Sequence, residues 1–323
     1  MTGQSPQQLP TREGVLRAAE KIAAILPPTP LIEREIGGQR LWFKAECLQP
    51  IGAFKIRGAW HRLSDLDDAQ RAAGVVAFSS GNHAQGIAWA ARRLGISATI
   101  VMPTDAPRAK MQATRDLGAA VKTYDRMSES REEIGAALAR ERGAVLVPSF
   151  DDPWVVEGQG SAAIEAESQL RLQGARSISH IVTPCGGGGL AAGCTLALPN
   201  ARVTIVEPEG WDDMGESLRK GRIVPVGPNP PVTSCDALQT LKVSPLTFDV
   251  LKDRGAASTF VTEGEIAAAM RYAMQSLGLV LEPGGSVALA AILAGKAAVD
   301  EGTVVLLSGR NVDPLAYAQV IGE

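Results

Sequence analysis

The chain has 323 residues, 45% apolar and 21% charged, with 32 Lys plus Arg against 35 Asp plus Glu for a net charge of −3. That balance is ordinary for a globular protein and offers no basic face for nucleic acid, and no apolar run reaches the ~18–20 residues of a membrane span. The four cysteines form no CxxC pair, which argues against a disulfide scaffold and a thiolate zinc site, while a polar start without an apolar signal core sets the expectation of a cytoplasmic protein of about two domains.

In chain order, short β-branched runs alternate with Ala-rich amphipathic stretches. The pattern predicts a strand over 74–78, a helix over 83–94, a strand over 98–102 and a helix over 107–117. Strands over 120–124 and 144–147 flank a helix over 128–142, and Gly95, Gly118 and Gly143 mark helix ends. A long helix over 153–172 follows, then a strand over 178–183, a helix from residue 189 and a strand over 202–207. A helix over 263–277 and a strand over 303–307 close the series. Strands separated by helices of about ten to fifteen residues mean βαβ units, so the fold class is α/β with mostly parallel sheets. The segment 221–231, with four prolines, reads as a surface connection. In such sheets ligands sit at the carboxyl ends of the strands.

Four segments carry candidate chemistry. In Gly52-Ala-Phe-Lys-Ile-Arg-Gly58, Lys55 stands between Phe54 and Ile56 with small residues on either side. An apolar pocket disfavours the charged form of a lysine and favours a nucleophilic free amine; a snorkelling surface lysine is the plainer reading. In Phe78-Ser-Ser-Gly-Asn-His83, a strand turns into a helix through Ser79, Ser80, Gly81 and Asn82, whose hydroxyls, amide and backbone N–H groups suit a carboxylate. Plain N-capping is the alternative. The third segment, 178–193, runs from strand through Gly186, Gly187, Gly188 and Gly189 into a helix beginning near Leu190, a cradle for phosphate. Gly186, Gly188 and Ala191 with Glu207 also satisfy the dinucleotide pattern; no Gly-Lys-Ser/Thr follows, which excludes a P-loop. In the fourth, Val304-Val-Leu-Leu-Ser-Gly-Arg-Asn-Val-Asp313, the Ser308 hydroxyl terminates an apolar strand, with a helix cap as the plainer reading.

Together these segments resemble the serine/threonine dehydratase family of pyridoxal-phosphate enzymes, of the tryptophan-synthase-β-like fold type II, which includes serine racemases and hydroxyaspartate dehydratases. Pro148-Ser-Phe-Asp-Asp-Pro153, Glu157-Gly-Gln-Gly160 and Glu282-Pro-Gly-Gly285 extend the resemblance over most of the chain. It implies two domains with pyridoxal phosphate in the cleft: a large one, 1–48 plus 148–323, and a small inserted one, 49–147. By position, Lys55 is implied as the Schiff-base lysine and proton carrier, and Phe54 as packing on the cofactor ring. Asn82 would meet the phenolic oxygen, Gly186 to Gly189 with Leu190 the phosphate, and Ser308 the pyridine nitrogen. Ser80, Gly81, Asn82 and His83 are implied for the substrate carboxylate, with Ser80 a second proton carrier in racemases. Glu207-Pro-Glu-Gly-Trp-Asp-Asp213 resembles a divalent-cation site, with Glu207, the Trp211 carbonyl and Asp213 as implied oxygen ligands for Mg²⁺ or Ca²⁺.

The implied activity is β-elimination of water from a small β-hydroxy amino acid to a 2-oxo acid and ammonia. L-threonine and L-serine are the default substrates; amino-acid racemisation and dehydration of 3-hydroxyaspartate are the alternatives. A silent amino-acid-binding protein and a nicotinamide oxidoreductase are further readings, and the combination of Lys55 with Ser-Ser-Gly-Asn-His weighs against both. The implied partners are the amino acid and a second copy of the chain in a homodimer, with neither nucleic acid nor membrane. Two departures stand out: Ala53 where serine is usual, expected to remove a hydroxyl near the substrate, and Arg310 where glycine is commoner, expected to lie outside the pocket or, on a bolder reading, to reach an acidic substrate group.

Overall fold

The computed structural model describes residues 8–79, 81–106, 108–125 and 127–322. In chain order its elements are α1 (Arg12–Ala23), β1 (Leu31–Ile36), β2 (Gln39–Lys44), α2 (Lys55–Ser64), α3 (Asp68–Ala73), β3 (Val75–Phe78), α4 (Asn82–Leu94), β4 (Ala98–Pro103), α5 (Arg108–Asp116), β5 (Ala120–Tyr124), α6 (Arg131–Arg142) and β6 (Val145–Leu146). The chain continues with α7 (Pro153–Leu172), β7 (His180–Pro184), α8 (Gly189–Ala197), β8 (Arg202–Pro208), α9 (Asp213–Lys220), α10 (Pro245–Asp253), β9 (Ala257–Val261), α11 (Glu263–Tyr272), α12 (Pro283–Leu293), β10 (Thr303–Leu306) and α13 (Pro314–Gly322). The helix read over 263–277 stops earlier, at Tyr272, and its last turn over Ala273–Leu277 widens to a π-helix. Among the described residues no helix is long and apolar enough to cross a membrane.

The strands form two sheets flanked by helices, as the α/β reading requires. One has six strands in the order β1-β2-β10-β7-β8-β9, parallel except for the β1–β2 hairpin. The other has four parallel strands in the order β5-β4-β3-β6. Strands β4, β7 and β10 are buried along their whole length, which is why they read as unbroken apolar runs rather than alternating ones. Helix ends follow local chemistry. Thr11, Ser130, Asp152 and Thr262 each accept a backbone N–H at the start of a helix. Gly95 and Gly143 close α4 and α6 in the left-handed conformation.

Helix α7 is the structural spine. It touches α2 where Gly158 meets Gly58: a Cβ on Gly158 would lie 2.5 Å from the Gly58 Cα. On α8, a Cβ on Gly193 would lie 2.5 Å from the Gly160 nitrogen. Backbone-to-backbone approach therefore holds the start of α2, which carries Lys55, and the start of α8, which carries the glycine loop, against one rigid element.

Candidate active site

Twelve of the residues singled out in the sequence line a single cavity of about 750 Å³: Phe54, Lys55, Ser79, Gly81, Asn82, His83, Gly186 to Gly189, Leu190 and Ser308. They arrive from four separate strand-to-helix or strand-to-turn junctions. Ser80 lies outside the described residues.

Lys55 opens α2. The turn before it is stitched to the end of β10: the Phe54 N–H donates to the Ser308 carbonyl at 3.1 Å, and Ala53 bridges Gly309. This pairing brings Lys55 and Ser308 to the same cavity. Lys55 Nζ donates to the Ser149 carbonyl at 2.8 Å and stands 5.2 Å from the Phe54 ring centroid. Burial without a carboxylate partner pushes its pKa down to about 8, so a substantial share of the amine is free near neutral pH. Ala53 is fully buried and is not itself part of the cavity lining, although its neighbours Phe54 and Lys55 are. Arg310 is exposed and off the cavity, its N–H donating to the Gly52 carbonyl at 2.8 Å.

The glycine loop joins β7 to α8. A Cβ on Gly187 would fall inside the Phe150 ring, and Gly188 is left-handed at φ +84°. Thr247 Oγ1 donates to the Gly187 carbonyl at 2.8 Å, which fixes the loop from behind. The free N–H groups of the α8 start and its positive dipole end make this a place for a phosphate.

At the start of α4, Asn82 Nδ2 donates to Glu282 Oε1 at 2.6 Å, and Asn82 Oδ1 accepts from Asn311 Nδ2 at 2.6 Å. His83 Nε2 lies 2.9 Å from the Val147 carbonyl, which can only accept, so Nε2 carries the hydrogen. Burial, with the Lys55 charge, lowers its pKa to about 3, and the ring stays neutral in the working range.

The cavity also contains residues that the sequence reading did not assign. Glu282, Ser149, Lys110, Arg131 and Asp236 are all part of its lining. Lys110 pairs with Asp236, and Arg131 Nε donates to Glu132 at 2.8 Å while its guanidinium lies 5.7 Å from the Phe78 centroid. Lys110 and Arg131 lie on polar helices where nothing local separates a cavity cation from a solvated one. Glu282 sits directly before the Pro283 that opens α12, a position equally consistent with a helix cap.

The implied cation ligands do not line this cavity; they lie behind the glycine loop, where Met214 packs against Gly188. Glu207 ends β8 and accepts the N–H groups of Met214 at 3.0 Å and Gly215 at 2.8 Å. Both oxygens of Asp213 are buried without a hydrogen-bond partner. Burial and the neighbouring Asp213 raise the Glu207 pKa, and burial raises Asp213 to about 7. Two buried carboxylates, one of them without a close hydrogen-bond partner and eased by the nearby Val243 and Met214 N–H groups, fit a hard cation held with a backbone carbonyl. Among the described residues no group of three or more His, Cys, Asp or Glu side chains gathers as a metal cluster.

Residues 22–309 match the family described as pyridoxal-phosphate dependent enzyme. An L-threo-3-hydroxyaspartate ammonia-lyase of Pseudomonas sp is 41% identical, over 97% of this chain and 99% of its own length. A serine racemase of Schizosaccharomyces pombe is 37% identical, over 98% of each chain. Among solved structures, maize serine racemase superposes with a TM-score of 0.89 at 33% identity, over 98% of each chain.

Proposed function

The chain belongs to the family of pyridoxal-phosphate dependent enzymes, and from that premise we propose that it is an ammonia-lyase for a β-hydroxy amino acid with a second carboxylate, of the 3-hydroxyaspartate type. The observation that carries the substrate choice is Arg131 in the lining of the cavity that holds Lys55, a lining that also includes Lys110. A planar guanidinium binds a carboxylate through two parallel hydrogen bonds; the methyl of threonine and the short side chain of serine have no use for it. The Pseudomonas relative is named for that reaction, and this support moves the reading away from L-threonine and L-serine.

The residues present fit pyridoxal phosphate. The glycine loop and the start of α8 would take the phosphate, Phe54 would face the ring, Asn82 the phenolic oxygen and Ser308 the ring nitrogen. When bound, the cofactor accepts the electron pair released when the α-carbon loses its proton. The free Lys55 amine takes that proton and then supplies one to the departing β-hydroxyl, acting first as base and then as acid. Water leaves, and hydrolysis of the resulting enamine gives a 2-oxo dicarboxylate and ammonia. Ser308 would offer the ring nitrogen a neutral hydroxyl, not a carboxylate, and so would not hold it protonated, which suits elimination. The N–H groups of Gly81, Asn82 and His83 would hold the α-carboxylate at the start of α4. Arg131→Ala should cut kcat/KM for 3-hydroxyaspartate by about 10- to 100-fold, the size of a charge-assisted hydrogen bond, and change that for L-serine less than threefold. Equal loss on both substrates, or no loss on either, would sink the assignment.

Glu207, the Trp211 carbonyl and Asp213 would hold Mg²⁺ or Ca²⁺ as a structural ion, neutralising two buried carboxylates. Chelation should then lower the melting temperature, with recovery on adding Mg²⁺ and no response in Asp213→Ala; a melting temperature indifferent to chelator speaks against the ion.

A further inference from the structure

Which end of an amide side chain meets a ligand depends on what its other atoms touch. For Asn82 the answer starts at a backbone carbonyl. Asn311 Nδ2 lies 2.8 Å from the Ile51 carbonyl oxygen, 2.6 Å from Asn82 Oδ1 and 3.3 Å from Gln85 Oε1. A peptide carbonyl only accepts, so the Asn311 atom facing Ile51 is its NH₂. That NH₂ donates to the Asn82 carbonyl oxygen and turns the Asn82 NH₂ the other way, where Glu282 Oε1 accepts it. One of the two Asn82 amide hydrogens is used by Glu282. The other is left for the cavity that Asn82 and Glu282 both line.

The surroundings leave little play. Glu282 is 3% exposed, and its N–H donates to the Gly309 carbonyl at 3.0 Å. A Cβ on Gly309 would overlap the Glu282 carboxylate. The contacts bridge 200 residues between Asn82 and Glu282, and 229 between Asn82 and Asn311.

We infer that Ile51, Asn311 and Glu282 form an orienting relay, with Glu282 a positioning residue that fixes the sense of the Asn82 amide so that its remaining hydrogen faces the phenolic oxygen of bound pyridoxal phosphate. The inference rests on the cofactor and is independent of the substrate. The ionised Glu282 carboxylate is a pure acceptor; its protonated form can also donate and holds Asn82 less strictly. Burial, then the charge of Asp236 on the neighbouring 236–238 turn, lifts the Glu282 pKa to about 7, while the Asn82 amide, Lys110 of α5 and the Asn311 backbone N–H pull it back.

The test measures the dissociation constant for pyridoxal phosphate and the absorbance spectrum of the bound cofactor in Glu282→Gln and Asn311→Asp. Each should weaken binding about tenfold, the worth of roughly one hydrogen bond, and each should shift the absorbance maximum. In an Asn82→Ala background neither should add anything, because the relay acts only through that amide. If Asn311→Asp does not fold, Asn311→Ala removes the donor without adding charge and carries the same expectation. Wild-type affinity and spectrum in the single variants would overturn the relay. So would full effects persisting in the Asn82→Ala background, which would put Glu282 in direct contact with the ring.

Discussion

At Lys55, an ordinary amine is tuned by its surroundings alone. Its pKa lies at about 8 against a usual 10.5, and the cause is desolvation without any neighbouring cation. The sign for folding follows. Between about pH 8 and 10.5 the unfolded chain holds this proton and the folded chain does not, so apoprotein stability rises with pH across that window. On the proposed function the sign is the same, because the neutral amine is the form that would attack the cofactor's aldehyde. The rate at which apoprotein captures pyridoxal phosphate, followed by absorbance, should therefore climb with a midpoint near pH 8. Lys55→Ala should abolish covalent capture at every pH. A midpoint above 10 would mean that the pocket is wet and the lysine unperturbed.

At the scale of elements, the site depends on close backbone packing. The glycine loop can lie against Phe150 only because Gly187 has no side chain. Gly187→Ala should move the loop, weaken pyridoxal phosphate binding by more than tenfold and cost about 1–3 kcal/mol through overpacking, read by cofactor titration and thermal melting. This loop was legible in the sequence because strand, glycines and helix start are contiguous, and the same holds for Lys55 and for the Ser-Gly-Asn turn. The hairpin β1–β2 and helices such as α10 and α12 were not assigned. Strand β1, Leu-Ile-Glu-Arg-Glu-Ile, carries charges on both faces because most of it is exposed, which removes the period-2 signal. Glu282 and Asn311 stood inside recognised motifs without a role, since their meaning comes from contacts made hundreds of residues away. Arg131 and Lys110 acquire theirs only once α5 and α6 are brought to the cavity.

Across the whole molecule, a buried polar network ties β2 to α2 and α7. Arg57 donates to Glu46 through Nε and Nη2, each at 2.7 Å, and to Glu165 at 2.9 Å. Lys44 pairs with the same Glu165 and donates to the Thr29 carbonyl at 2.7 Å. Burial works against the Glu46 charge, but the Arg57 guanidinium with its hydrogen bonds, helped by Lys44, more than offsets it and holds the pKa down to about 2. The stability this gives is present above the usual carboxylate value and is lost as pH falls towards 2. Arg57→Met would leave Glu46 buried without its main cationic partner, at a cost of about 3 kcal/mol, since Lys44 and Thr29 still support its charge. Chemical denaturation at pH 7 should show that loss. A variant as stable as the parent would mean that the network is replaceable by apolar packing.

The strand order has a consequence for a chain still being made. In the six-stranded sheet, β10 lies between β2 and β7, so an early strand waits for almost the last one. The four-stranded sheet, whose strands fall within 75–146, has all its partners once β6 has emerged. A nascent chain can therefore close the inserted sheet while β2 still exposes an unpaired edge. A chain stalled before Thr303 would carry a completed small sheet beside an open template for pairing with its neighbours.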